Sequence, residues 1–155
     1  EKWWRQEHEK RDYLEVNTPI MAKGELFEKS GHWEHYKEDM FIFRVENETY
    51  ALKPMNCPES ALIYSSKIRS YKDLPMRLAE IGRLHRNELS GVLAGMFRVR
   101  QITMDDAHIY CRQDQIQTEI PRLTCVSSRS SYEFGNNWLF DILLHFYMRI
   151  GAVFE

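Results

Sequence analysis

Two strand-like runs, at residues 76–88 and 97–109, constrain the fold of this chain more than any other feature of its sequence. Neither run contains proline or repeats its apolar residues with helical spacing, and the segment LSGVLAGM between them carries two glycines. This pattern predicts two long antiparallel strands joined by a mobile loop.

Charged side chains recur along both predicted strands at even spacing. Because successive side chains of a strand point to opposite faces, these charges gather on one side of the sheet. Such a face could bind a nucleotide phosphate through its arginines, or it could carry only a ladder of ion pairs. Its members are Arg86 and Glu88 on the first strand and Arg98, Arg100, Asp106 and His108 on the second.

Composition indicates a single soluble domain, since 43% of the 155 residues are hydrophobic and 28% are charged. A net charge of −2 argues against binding to nucleic acid by bulk electrostatics, although residues 67–100 hold eight basic and three acidic side chains. Three cysteines and no secretory leader predict reduced thiols and a cytoplasmic protein.

The N-terminal part of the chain predicts short helices and a hairpin. Residues 1–14 suit an amphipathic helix, and residues 24–38 suit a short helix with a loop. Residues 40–45 and 49–54 are β-rich runs around the turn-forming ENE. Pro19 keeps its predecessor out of the helical region and fits an edge or interface strand.

A further helix is predicted after Pro54, with Pro58 in its first turn and Asn56 or Cys57 near its cap. A thiol at a helix N-terminus suits a metal ligand or a reactive group, because the helix dipole favours the thiolate. Cys57 and His108 could therefore bind zinc. They lie far apart in the sequence, so a buried thiol and a hydrogen-bonded histidine are an alternative interpretation.

Residues 112–119 start another helix, which Pro121 is predicted to end at about Ile120. Residues 138–150 then predict an apolar helix that is buried or covered by a partner, since it is short and too charged for a membrane span. Its polar positions recur every four residues and are Asp141, His145 and Arg149.

Six motifs occur in order in the first 120 residues: SGHWEHYKEDMF, PMNCP, SYKDLPMRLAEIG, HRNELSG, FRVR and TMDDAHIYC. Together with the segment around Pro19 they resemble the catalytic core of threonyl-tRNA synthetases, a class II aminoacyl-tRNA synthetase family. The resemblance implies an α+β fold with an antiparallel class II sheet flanked by helices. It makes residues 1–120 a partial catalytic domain and leaves residues 121–155 as an unmatched tail, as in a truncated product.

The resemblance also assigns roles to individual residues. Arg86 would contact the α-phosphate and the threonine carboxylate as the catalytic residue, Glu88 would contact the adenine region, and Arg98 would contact the triphosphate. Met55 would line the amino-acid pocket, and Asp106 would accept a hydrogen bond from the threonine hydroxyl. A site built to hydrogen-bond this hydroxyl would reject valine.

The same resemblance makes Cys57 and His108 two of three zinc ligands, and we find no third ligand in this chain. It implies ATP with Mg²⁺, threonine and tRNA as partners, a homodimer formed through the region of Pro19, and no membrane. The third class II motif, with its ATP-binding arginine, has no match here, so the fragment alone is expected to be less than fully active.

Four residues depart from the family pattern. Gln101 and Ile102 stand where a glycine and an aromatic residue are common, Met104 replaces a glutamine, and Glu59 replaces a small residue. We interpret these as variation within a subgroup. The alternatives are a non-catalytic fragment that dimerises or binds a partner, and a class II synthetase for another amino acid, such as serine or proline.

Overall fold

The computed structural model describes residues 1–122, which fall into two compact units. Residues 1–110 form the first unit, and residues 111–122 are the described part of the second. No helix within residues 1–122 is long and apolar enough to cross a membrane.

The first unit contains four helices and six strands, in agreement with the predicted α+β class. In chain order they are α1 (Lys2–Glu9), β1 (Tyr13–Glu15), β2 (Met21–Lys23), α2 (Gly24–Lys29), α3 (His32–Tyr36), β3 (Ile42–Val45), β4 (Glu48–Leu52), α4 (Cys57–Ser65), β5 (Met76–His85) and β6 (Gln101–Tyr110). Short 3-10 turns occupy Lys37–Asp39, Tyr71–Asp73 and Ser90–Val92.

The central sheet has the strand order β1-β5-β6. β5 and β6 pair antiparallel over their full length, from Met76 opposite Tyr110 to His85 opposite Gln101, which confirms the predicted strand pair. β1 pairs parallel to β5, an arrangement that the sequence did not predict.

Both long strands end sooner at the connecting loop than the sequence predicted, so Arg86, Glu88 and Arg98 lie outside them. The pairing continues for one more step, since the Arg86 amide donates to the Arg100 carbonyl at 2.8 Å. The Glu88 amide then donates to the Arg86 carbonyl at 2.9 Å, and this local turn ends the ladder.

Helix α1 packs on the face of the central sheet formed by the odd-numbered residues of β5. Trp4 and Tyr13 are buried there against Ala79, which confirms an amphipathic first helix. The helix ends at Glu9 rather than near residue 14 because Asp12 adopts a left-handed φ of 61° and turns the chain into β1. The partly buried residues around this core are Trp3, Ile81, Ala107 and Ile109.

The second sheet has the order β2-β4-β3 and is antiparallel throughout. Its β3–β4 hairpin confirms the pair of β-rich runs around the ENE turn. Phe27 of α2, Met40 and Ala51 form its buried core, so α2 and α3 cover one side of this small sheet.

A buried polar cluster joins the two sheets. Lys53, immediately after β4, donates from Nζ to Glu80 Oε1 of β5 at 2.9 Å and to Thr18 Oγ1 at 2.6 Å. The Thr18 amide also donates to Glu80 Oε1 at 2.9 Å. Residues 16–20, between β1 and β2, belong to no strand, so Pro19 does not lie in the edge strand that the sequence predicted. The Glu80 carboxylate satisfies the Thr18 amide in this segment.

In the second unit, the 3-10 turn Gln113–Gln115 leads into residues 116–122, which are helical. The prediction that Pro121 ends this helix at Ile120 is wrong within the described residues. A proline removes one backbone donor, but its fixed φ is close to the helical value, so the helical dihedrals continue through it. The predicted helix at residues 138–150, with Asp141, His145 and Arg149, lies outside the described residues.

Candidate functional site

The candidate site lies where the N-terminus of α4 packs over the central sheet. Directly opposed residues of β5 and β6 point to the same face, so Glu80 opposite Asp106 and Leu78 opposite His108 share one side. This is the face opposite to α1. The predicted placement of Asp106 and His108 on one face is therefore found in β6.

Asn56 connects α4 to this face. It is the N-cap residue of α4 and is only 1% exposed. Its Nδ2 donates to Asp106 Oδ2 at 2.8 Å. Gly82 of β5 provides the room for this contact, since a Cβ at that position would overlap the Asn56 amide. The sequence predicted Asn56 near the helix cap but not its bond to Asp106.

Cys57 is the first residue of α4, as predicted, and it is partly buried. The neighbouring Ser60 hydroxyl hydrogen-bonds the hydroxyl of Tyr110 at 2.8 Å. Burial raises the pKa of Tyr110, although the hydrogen bond with Ser60 opposes this increase. Since Tyr110 follows His108 by two residues on β6, Cys57 lies over the same face that carries Asp106 and His108.

One ring nitrogen of His108 makes no hydrogen bond within the described residues. Its Nε2 is buried and has no hydrogen-bond partner among the described residues. Burial lowers the pKa of His108, although the charges of Asp106 and Glu80 oppose this decrease. A neutral imidazole with an unpaired buried nitrogen is the form that binds a metal.

The donor set fits zinc only in part. A thiol at a helix N-terminus and a neutral imidazole are both ordinary zinc ligands. Within residues 1–122, however, no three His, Cys, Asp or Glu side chains are grouped so that they could hold a metal ion. The described residues therefore supply two candidate ligands, Cys57 and His108, and a complete site would need a further donor.

Arg86 and Met55 lie at the same end of α4. Arg86 Nε donates to the Pro54 carbonyl at 3.3 Å, which brings its partly buried guanidinium to the segment leading into the helix. Met55 follows Pro54 and is partly buried. The structure thus brings Arg86 next to the PMNC segment that carries Met55, Asn56 and Cys57.

Glu88 and Arg98 pair with each other. Arg98 donates to Glu88 Oε2 from Nη2 at 2.9 Å and from Nε at 3.0 Å. The Glu88 side chain is 12% exposed, and that of Arg98 is 54% exposed. This is the ion-pair arrangement that the sequence left open, and it also fixes the base of the segment between β5 and β6.

Glu59 has a buried carboxyl group without hydrogen bonds to the described residues. It is 5% exposed, and both oxygens lack a partner among the described residues. Burial raises its pKa to about 7, although the charge of Lys53 opposes the increase. A small residue at this position would avoid that cost, so the departure from the family pattern has a measurable physical consequence.

The sequence did not predict the buried cluster of Thr18, Lys53 and Glu80. This cluster lies beside the site, because Glu80 is opposite Asp106 in the sheet. Glu80 lies two residues from Gly82 on the even-numbered face, and its carboxylate is directly opposite Asp106 in the register. Glu80, Gly82 and Arg86 are separated by even numbers of residues, and this spacing could have indicated that Glu80 shares the face of the site. Lys53 and Thr18 give no such indication, because they reach Glu80 from other segments.

Residues 41–135 match the family tRNA synthetase class II core domain (G, H, P, S and T). Over 120 residues the chain is 54% identical to the threonine–tRNA ligases of Caldanaerobacter subterraneus subsp. tengcongensis and of Acetivibrio thermocellus. Each alignment covers 77% of this chain and 19% of the relative, so the chain spans about a fifth of the length of these proteins.

Solved structures show the same likeness. The RNA binding domain of threonyl-tRNA synthetase from Cryptosporidium parvum Iowa II superposes with a TM-score of 0.83 at 43% identity, over 86% of this chain and 34% of that one. A putative threonyl-tRNA synthetase from Aeropyrum pernix gives 0.74 at 40% identity, over 78% of this chain and 27% of that one. Prolyl-tRNA synthetase from Giardia lamblia superposes with a TM-score of 0.71 at 22% identity, over 81% of this chain and 26% of that one. This likeness indicates a shared fold.

Proposed function

This chain belongs to the tRNA synthetase class II core domain family and resembles threonine–tRNA ligases within it, and from this we propose that it forms part of a threonine-activating catalytic core. The complete core would join threonine to ATP and then transfer the threonyl group to tRNA.

One observation carries the proposal: the first residues of α4 lie over the face of β6 that presents Asp106 and His108. The bond between Asn56 and Asp106 fixes this arrangement at 2.8 Å. Cys57 directly follows Asn56, His108 lies two residues from Asp106 on the same face, and Arg86 contacts the Pro54 carbonyl just before α4. Their side chains are the chemical groups needed to recognise an amino acid that carries a hydroxyl.

Asp106 would select threonine by accepting a hydrogen bond from its hydroxyl. Valine has nearly the same shape but cannot donate this bond, so it would leave Asp106 Oδ1, the oxygen that Asn56 does not bind, without a donor. Cys57 and His108 would hold zinc together with a donor beyond these two. Zinc, when bound, supplies open coordination positions for the amino and hydroxyl groups of the substrate.

Arg86 would bind the threonine carboxylate and the α-phosphate of ATP together. In the first reaction a carboxylate oxygen forms a bond to the α-phosphorus, and the bond to the bridging oxygen breaks, so that pyrophosphate leaves with its electron pair. The guanidinium would neutralise charge on the reacting phosphate, and Mg²⁺ would accompany ATP. Glu88 and Arg98 would hold the adenine and the triphosphate after exchanging their mutual ion pair for the nucleotide.

In the second reaction a terminal ribose hydroxyl of tRNA would attack the threonyl carbonyl, and AMP would leave. The segment of residues 86–100 between β5 and β6 would face the end of the tRNA. A homodimer through the region of Pro19 belongs to the same proposal, and sedimentation of the purified chain tests it: a dimer is expected, and a monomer at all concentrations contradicts that part.

Calorimetric titration of threonine and valine into the zinc-loaded chain tests the recognition step. We expect threonine to bind at least about tenfold more tightly than valine, because a buried hydrogen bond to a charged group separates the two ligands. Equal affinity for both amino acids, or no binding of threonine, would contradict the proposed recognition.

A non-catalytic role is the second candidate, and the paired Glu88 and Arg98 favour it. The segment between β5 and β6 also exposes Leu89, Met96 and Phe97, as a surface that binds a partner would. Threonine-dependent exchange of pyrophosphate into ATP distinguishes the two. Exchange by this chain supports activation, whereas threonine binding without exchange supports a binding module.

A further inference from the structure

We propose that Asn56 is a positioning residue for amino-acid recognition: it holds the Asp106 carboxylate and fixes the start of α4, with Cys57, above the central sheet. This inference rests on the proposed function. It adds a residue whose side chain reaches the substrate only through Asp106.

The first support is that the Asn56 side chain hydrogen-bonds Asp106 and does not cap its own helix. Asparagine at an N-cap usually accepts a hydrogen bond from an amide in the first turn of its helix. At α4 no such side-chain bond is formed, and the Asn56 backbone has φ −93° and ψ −7°. The amide group is directed to Asp106 instead. Helix capping therefore does not explain the orientation of this side chain.

The second support is the shape of the site. Asn56 is 1% exposed and lies against Gly82, where any larger residue would collide with its amide. A glycine within a strand weakens the strand, so this one is explained by the close approach of α4. Asn56 and Gly82 together set the distance between the helix N-terminus and the sheet.

The third support is the unpaired half of the amide. Asn56 Oδ1 is buried and has no hydrogen-bond partner among the described residues. An unsatisfied buried acceptor costs stability, so a side chain that served only the fold would be costly here. The same amide restrains one oxygen of Asp106, Oδ2, and leaves Oδ1 outside the bond for a ligand. The donated bond also holds the carboxylate in one orientation.

Asn56→Ser is the sharpest test, because serine is also a favoured N-cap residue and keeps the start of α4. Its hydroxyl is too short to reach Asp106. We expect threonine binding by the zinc-loaded chain to weaken about tenfold or more. The reason is that Asp106 loses the hydrogen bond from Asn56 that holds its carboxylate in position. Binding of ATP, measured separately, should stay within about twofold, because among the described residues no side-chain hydrogen bond joins Asn56 to Arg86, Glu88 or Arg98.

The matched control is Asn47→Asp in the exposed turn between β3 and β4, which should change neither affinity. Asn56→Asp is the second variant: it is nearly isosteric, but it replaces the neutral amide donor by a second carboxyl group, so that the pair must share a proton or repel. It should weaken threonine binding at least as much as Asn56→Ser. Thermal unfolding of each variant shows whether it is folded, and if Asn56→Ser is unfolded, the result is read from Asn56→Asp.

The outcomes separate the two claims. Weaker threonine binding by every Asn56 variant that folds, with ATP binding retained, supports the inference. Unchanged threonine binding in either folded variant overturns it and leaves the proposed function intact. If both variants unfold, the role of Asn56 is structural and the inference is wrong. If the wild-type chain binds no threonine, the proposed function fails and the inference fails with it.

Discussion

At the scale of single residues, the interface between α4 and the central sheet holds several buried polar atoms that the fold does not satisfy. Asn56 Oδ1, both carboxyl oxygens of Glu59 and His108 Nε2 all lack a hydrogen-bond partner within the described chain. Each such atom costs on the order of 1–3 kcal/mol. Their concentration at one interface is typical of a binding site, where a ligand or a metal supplies the missing partners.

Glu59 gives a test of this cost in the metal-free protein. Because its folded-state pKa is raised from 4.5 to about 7, its contribution to stability is fully present below pH 4.5 and is lost as the pH rises through 7. Glu59→Gln should therefore increase the free energy of unfolding at pH 8 by up to about 3 kcal/mol relative to wild type, and by much less at pH 5.

Urea denaturation at both pH values, with a chelator present, measures this difference. Glu28→Gln removes the same charge at an exposed position and is the control. Should Glu59→Gln be no more stabilising at pH 8 than at pH 5, the Glu59 carboxyl is not buried without a partner in solution.

At the scale of secondary-structure elements, two sheets are joined by the segment that runs from β4 into α4. The Lys53 amide donates to the Ile20 carbonyl at 2.9 Å, and the Lys53 carbonyl accepts from the His85 amide at 3.0 Å. Its side chain adds the buried ion pair with Glu80. The position of Asn56 and Cys57 over β6 therefore depends on Lys53, three and four residues earlier in the chain.

Lys53→Met should destabilise the chain by about 3–5 kcal/mol, because it leaves the Glu80 carboxylate buried without its cation. The control is Lys23→Met, which breaks an exposed ion pair between Lys23 Nζ and Glu48 Oε1 at 2.6 Å. The Lys23 side chain is 55% exposed and the Glu48 side chain is 52% exposed. That loss should stay below about 1 kcal/mol. Chemical denaturation compares the two variants, and similar losses would show that burial does not strengthen the Lys53 pair.

The sequence predicted the elements better than it predicted their ends. Alternation of side chains placed Asp106 and His108 on one face, and Pro58 located the start of α4, because both patterns are local. The same alternation extended the first strand to Glu88, although β5 ends at His85 and the pairing stops after the bond between Arg86 and Arg100. The parallel pairing of β1 with β5 and the Lys53–Glu80 contact join distant segments, which no local pattern reveals.

At the scale of the whole molecule, the chain belongs to the tRNA synthetase class II core domain family, which matches residues 41–135. It spans about 19% of the curated relatives, and residues 1–122 supply two candidate zinc ligands rather than three. The roles of Arg86, Glu88, Arg98, Met55 and Asp106 stay predictions, carried by the resemblance and by the arrangement around α4. The proposed zinc binding by Cys57 and His108 can be measured on this chain directly.

X-ray absorption at the zinc edge of the loaded chain tests most directly whether Cys57 and His108 meet beside Asp106. We predict one sulfur ligand near 2.3 Å and at least one imidazole nitrogen near 2.0–2.1 Å, with the sulfur lost in Cys57→Ser and kept in Cys111→Ser. A spectrum without sulfur, or one that Cys57→Ser leaves unchanged, would contradict the account.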